Sequence, residues 1–130
     1  DHAAVDRYIA NMRAETTARL ETIYNGIQAM RRDGLPVDCL RPQGAIYASV
    51  RFALHGGHAP AGETLRTDND IRRYLLQAAR LAVVPFDAFG AAEGQGWCRL
   101  SIGVTSVAEL EELMPRLRTA VEAVAGVLAN

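Results

Sequence analysis

The sequence predicts an α+β fold: a small, mostly antiparallel sheet with helices packed on one face. Three observations carry that expectation. Helical and strand periods follow one another in the order helix, strand, strand, helix, strand, strand, helix. Two runs, Ala45 to Phe52 and Trp97 to Ile102, alternate apolar and polar residues with the period of two that a sheet covered on one face requires. Thr67 and Ser106 each stand three residues ahead of an acid, Asp70 and Glu109, and each pair opens a stretch of helically spaced apolar residues.

The first helix is long, occupying residues 1–34. Val5, Tyr8, Ile9 and Met12, then Leu20, Ile23, Tyr24, Ile27 and Met30 fall at helical spacing, with a break near Thr16. Gly26 inside it costs about 1 kcal/mol relative to alanine. Gly34 followed by Pro36 reads as its stop. The second half of this stripe is core. The first half reads either as core or as a face shaped to lie against another body.

Val37 to Leu40 is a short strand. Ala45 to Phe52 places Ile46, Ala48, Val50 and Phe52 on one face and Tyr47, Ser49 and Arg51 on the other, where Arg51 reads as a surface arginine. Residues 54–63, LHGGHAPAGE, are loop by composition. His55 and His58 lack the further nearby ligands that a metal site needs, so no metal is expected and both histidines read as solvated. Thr67 opens a helix with Ile71, Leu75, Ala78 and Ala79 on its inner face. Ser106 opens the last helix, with Leu110, Leu113, Met114, Leu117, Val121, Val124 and Leu128 in one stripe. Pro115 removes the bond to the carbonyl of Glu111 there and predicts a kink over 111–115.

At 130 residues and 49 % apolar content the chain can bury one core, so residues 1–130 read as a single domain. A net charge of −1 gives no ground for a nucleic-acid or anionic-membrane partner. No apolar run approaches the roughly 18 residues of a membrane span. Cys39 and Cys98 sit singly in strand segments, which favours buried free thiols in a reducing cytoplasm over a disulfide.

The stretch from residue 81 to 103, LAVVPFDAFGAAEGQGWCRLSIG, carries the candidate chemistry. Two apolar runs bracket a Gly-rich loop, and alternation puts Trp97, Arg99 and Ser101 on one face with Cys98, Leu100 and Ile102 on the other. A guanidinium is always charged and presents a planar fork that fits a carboxylate bidentately, so a strand-mounted Arg99 suits anion capture. The competing reading is a surface arginine paired with an acid. Phe86, Phe89 and Trp97 are candidate walls of a cleft beside it, although Phe89 serves equally well as a loop anchor.

Those residues resemble a known family. Gly44-Ala45-Ile46-Tyr47, a helix, Val83-Val84-Pro85 with Phe89-Gly90, and Arg99-Leu100-Ser101 follow in the order seen in the C-terminal small domain of aspartate-aminotransferase-like (class I/II, fold type I) pyridoxal-phosphate enzymes. The resemblance covers nearly the whole chain, and one departure is Phe86, where many members have glycine. It implies that Arg99 binds the α-carboxylate of an amino-acid substrate. It also implies a parent enzyme, a homodimer, that moves an amino group between an amino acid and a 2-oxo acid on pyridoxal 5'-phosphate.

All 14 basic residues are arginines. A chain without lysine cannot hold that cofactor as a Schiff base, so this chain is expected to bind none and to be inactive alone. It begins at Asp1 directly in a helical pattern, which reads as a piece of a longer enzyme cut within the helix leading from a large cofactor-binding domain. A rival of another class is a stand-alone regulatory module that binds a free amino acid through the same arginine. A dimerisation domain, resting on the first helix alone, is the third reading.

Overall fold

The computed structural model describes residues 2–41, 47–85, 95–101 and 106–127, without the side chains of Met12, Arg13, Thr16, Tyr47 and Ser101. The expected element order is present. Helix α1 spans His2–Arg32, strands β1 and β2 span Val37–Cys39 and Tyr47–Phe52, and helix α2 spans Asp68–Ala79. Strands β3 and β4 then span Val84–Pro85 and Trp97–Ser101, and helix α3 spans Val107–Glu122. The four strands form one antiparallel sheet in the order β1-β2-β4-β3.

Register makes this a two-faced sheet. Val50 pairs with Cys98 and Cys39, Ala48 with Leu100, and Phe52 with Val37, so all of these side chains fall on one face. Every one of them is buried. The opposite face presents Asp38, Ser49, Arg51, Val84, Trp97 and Arg99, none of which is buried. The helices cover the first face: Leu20, Ile23, Ile27 and Met30 from α1, Ile71, Tyr74, Leu75 and Ala79 from α2, and Leu110, Leu113, Leu117, Ala120 and Val121 from α3 share its core.

Helix contacts explain two sequence features. A side chain at Gly26 would bring its Cβ to 2.5 Å from the Met114 sulfur, so glycine at this interior position lets α1 approach α3 closely. The interface closes with an ion pair between Arg118 and Asp33. At the junction of α2 and α3, Tyr74 donates its hydroxyl to the Ala120 carbonyl at 2.6 Å, and the Arg116 Nε donates to the Ala79 carbonyl at 3.2 Å.

Thr67 caps α2 as a full capping box with Asp70, as its spacing predicts. Ser106 accepts the Glu109 N–H at 3.1 Å and caps α3. Several details differ from expectation. Ala78 faces solvent, and Tyr74 takes the inner position, because its hydroxyl finds the Ala120 carbonyl. Helix α3 has Pro115 inside its span, as expected, but ends at Glu122. Its stripe does not continue as helix to Val124, because Ala125 leaves to pair with His58, accepting its N–H at 2.7 Å and donating back at 3.0 Å. Ala45, Ile46, Ile102 and Leu128 lie outside the described residues.

Along α1 the two halves differ in cover. Leu20, Ile23, Ile27 and Met30 are buried, whereas Val5, Tyr8 and Ile9 are 55, 65 and 41 % exposed.

Candidate functional site

Arg99 occupies the middle of β4, with Ser49 of β2 opposite it on one side and Val84 of β3 on the other. Hydrogen-bonded neighbours on both sides make this a rigid mount for a long side chain. Cys98 and Leu100, buried beneath it, oblige Arg99 to take the opposite face. Trp97 shares that face, paired with Arg51. Phe86 and Phe89, the other candidate cleft residues, lie outside the described residues.

Arg51 lies at the surface, as its alternation suggests, and its side chain has a partner there. It lies diagonally across the strand pair from Arg99, and its Nε donates to the Gln95 carbonyl at 2.8 Å. The next residue is held from two further directions. The Gly96 carbonyl accepts the Phe52 N–H at 2.9 Å, and its own N–H donates to Asp68 Oδ1 at 3.3 Å.

That carboxylate is the centre of a group the sequence did not announce. Asp68, the first residue of α2, is only 5 % exposed, and His55 Nε2 lies 2.6 Å from the same Oδ1. With the carboxylate as acceptor, Nε2 is the ring nitrogen that carries the proton. His55 is therefore a paired, half-buried residue rather than a solvated one. His58 is exposed but fixed, its backbone in the bridge to Ala125 and its Nδ1 3.2 Å from the Thr64 hydroxyl. Among the described residues there is no group of three His, Cys, Asp or Glu side chains able to hold a metal. His55 and Asp68 are thirteen positions apart, with no motif joining them; the single usable hint was an acid directly after a threonine cap.

Beside Asp68, the start of β4 and the underlying Cys98 and Phe52 border a cavity of about 10 Å³. That is room for about one water, not for a substrate. The cysteines beneath the sheet are chemically quiet. Burial, and secondarily the Asp38 carboxylate, push the Cys39 thiol up to about 11. Burial, then the Asp68 carboxylate and Cys39, push the Cys98 thiol higher still. Both are free thiols, and neither forms a thiolate nucleophile near neutral pH.

A strand-mounted arginine on an open sheet face, fed by a strand entry pinned at Gly96, is the setting in which comparison with known proteins becomes informative. The family description "Aminotransferase class I and II" matches residues 1–117. This chain belongs to the class I and II aminotransferase family. An aspartate aminotransferase of Rhizobium meliloti is 40 % identical over 103 residues, a match that takes in 78 % of this chain and 23 % of that protein. The crystal structure of the aspartate aminotransferase from Rhizobium meliloti superposes with a TM-score of 0.70 at 35 % identity, covering 82 % of this chain and 25 % of that one. An aromatic aminotransferase from Pyrococcus horikoshii superposes at 0.68 with 30 % identity, covering 89 % and 27 %. The chain thus spans about a quarter of the length of the relatives it matches. No described helix is long and apolar enough to cross a membrane.

Proposed function

We propose that this chain is the C-terminal, substrate-closing part of a pyridoxal-phosphate-dependent aminotransferase, and that Arg99 binds the α-carboxylate of its amino-acid and 2-oxo-acid substrates. The observation that carries this reading is the placement of Arg99 at the centre of the sheet on the face the helices leave open. Membership of the aminotransferase family supports it. A guanidinium presented by a hydrogen-bonded strand loses little freedom when a carboxylate docks, and a closing cleft that excludes water strengthens the pair. The first half of α1, with Val5, Tyr8 and Ile9 exposed, is then the face that lies against the rest of the enzyme. The intact enzyme would be a homodimer.

The residues present do not fit the cofactor itself. Pyridoxal phosphate needs a lysine amine to hold it, and all 14 basic residues here are arginines. That lysine would belong to another part of the enzyme, and no step through the cofactor follows from these side chains. A stand-alone amino-acid-binding module would use Arg99 in the same way, but nothing beyond Arg99 favours it.

The test is Arg99→Ala in the enzyme that carries this chain. Loss of a bidentate, charge-assisted pair should lower kcat/KM by about 2–4 kcal/mol in transition-state stabilisation while cofactor binding is retained. Arg99→Lys should recover only part, because a point charge cannot reproduce the fork. A fully active Arg99→Ala enzyme would remove the assignment.

A further inference from the structure

We propose that Asp68 and His55 are positioning residues for Arg99, acting through the backbone of Gly96; the functional half of the proposal rests on the assignment of Arg99 to the substrate carboxylate. Gly96 precedes β4 and extends its ladder with β2. Arg51 pairs with Trp97, so Phe52 and Gly96 form the next rung, closed by the Phe52 N–H to Gly96 carbonyl bond of 2.9 Å. Register at that rung decides which residues of β4 face the helices and which face outward. A slip of one residue would carry Arg99 into the core.

Three features make Gly96 a clamp. Its φ of +79° is a conformation that side chains disfavour. A Cβ there would come to 2.6 Å from the Phe52 carbonyl oxygen and 3.3 Å from His55 Cε1. Its N–H points at Asp68 Oδ1, the oxygen that also meets the His55 ring. The imidazole therefore both packs against Gly96 and orients the carboxylate that holds it.

A carboxylate this buried is costly to the fold unless donors satisfy it, and an apolar group of similar size is often no less stabilising. What the pair provides instead is direction. It joins the start of α2, the loop carrying His55 and the entry of β4 at one atom. Arg99 lies three residues further on, about 10 Å along the strand at 3.3 Å per residue. Errors at the entry pass directly to its guanidinium, and a displacement of about 1 Å remote from the chemistry can cost on the order of a hundredfold in rate.

Two measurements test this. In the ¹⁵N-labelled chain, Asp68→Asn and His55→Leu should move the Arg99 Nε–H and Gly96 amide resonances while those of Leu113 and Leu117 in α3 stay put. His55→Gln, whose side-chain amide still donates to Asp68, should restore the Arg99 resonance. If Asp68→Asn does not fold, the two His55 variants decide. In the enzyme, with L-aspartate and 2-oxoglutarate as probe substrates, His55→Leu should raise KM about tenfold with a smaller change in kcat, and should add nothing in an Arg99→Ala background. An unmoved Arg99 resonance overturns the positioning role whatever the kinetics show, and an equal loss in the Arg99→Ala background overturns it as well. A moved resonance together with a fully active Arg99→Ala enzyme upholds the positioning and overturns the carboxylate assignment alone.

Discussion

The two halves of α1 carry the same kind of apolar stripe and end in opposite surroundings. Leu20, Ile23, Ile27 and Met30 lie under the sheet and against α3, whereas Val5, Tyr8 and Ile9, three turns or more upstream, face solvent. An apolar stripe therefore says that a helix has a face and leaves open what covers it. Helix α2 sharpens the contrast from the other side, because it is short, capped at both ends and packed along its length. Its stability comes from its ends and its inner face together, whereas Val5, Tyr8 and Ile9 in the first half of α1 have no covered face among the described residues.

The largest expected effect lies in the covered half. Ile27 is fully buried in the core shared by the sheet and the three helices, and Ile27→Ala removes three carbons from that core. Destabilisation of about 2–5 kcal/mol should follow, read as a shift of the urea midpoint at unchanged slope. A loss below about 1 kcal/mol would place the covered half in the same class as the exposed half and dissolve the contrast.

A smaller effect belongs to the cap of α2. The Thr67 hydroxyl accepts the Asp70 N–H at 3.1 Å, and Thr67→Ala should cost about 1 kcal/mol. Asp70 adds a pH signature. The backbone N–H of Arg66 above all, then the Arg73 side chain and the Thr67 N–H, hold its carboxyl down at about 2. A carboxyl lowered in the folded state stabilises the fold fully above its unfolded value, near 3.9, and loses that contribution as pH falls toward 2. Asp70→Asn should therefore be less stable than the parent at pH 6 and converge with it near pH 2. Parallel stability curves across that range would show that the cap works through its hydroxyl alone.

How much of this was legible in the sequence follows from the range of each signal. The caps at Thr67 and Ser106, the alternation around Val50 and Cys98, and the stripe of α3 are set by neighbours within four residues, and all were readable. Arg99 was readable as the one cation on a strand beside a glycine-rich segment. The Asp68–His55–Gly96 group was not, because its members come from a loop, the start of α2 and the entry to β4, and separations of 13 and 28 positions lie beyond the reach of helix or strand periodicity. Arg51 was legible as a surface arginine from its alternation, but its bond to the Gln95 carbonyl was not, because that bond spans 44 residues. The end of α3 was overrun because an apolar Val124 continued the pattern while the backbone had already found a partner in His58.

The smallest expected effect closes the comparison on the exposed half of α1. That segment has no acid in its first turn to offset the helix dipole, and Val5, Tyr8 and Ile9 gain little from burial. In the isolated chain, Tyr8→Gln together with Ile9→Gln should change stability by no more than about 0.5 kcal/mol, since neither residue leaves a cavity or an unmatched polar group. Amide exchange should rank the same way, with residues 5–11 exchanging well ahead of Leu113 and Leu117 in α3, because a helical segment with little apolar burial is marginal in water. Sedimentation at the same concentration must show a monomer, since self-association would cover this face. In the longer enzyme proposed above, the identical double substitution should become costly if the rest of that protein lies on this face, through the loss of about 25 cal/mol for each Å² of apolar surface no longer buried. A double variant that is neutral in both settings would leave the stripe of Val5, Tyr8 and Ile9 without a partner and withdraw the domain contact proposed for it.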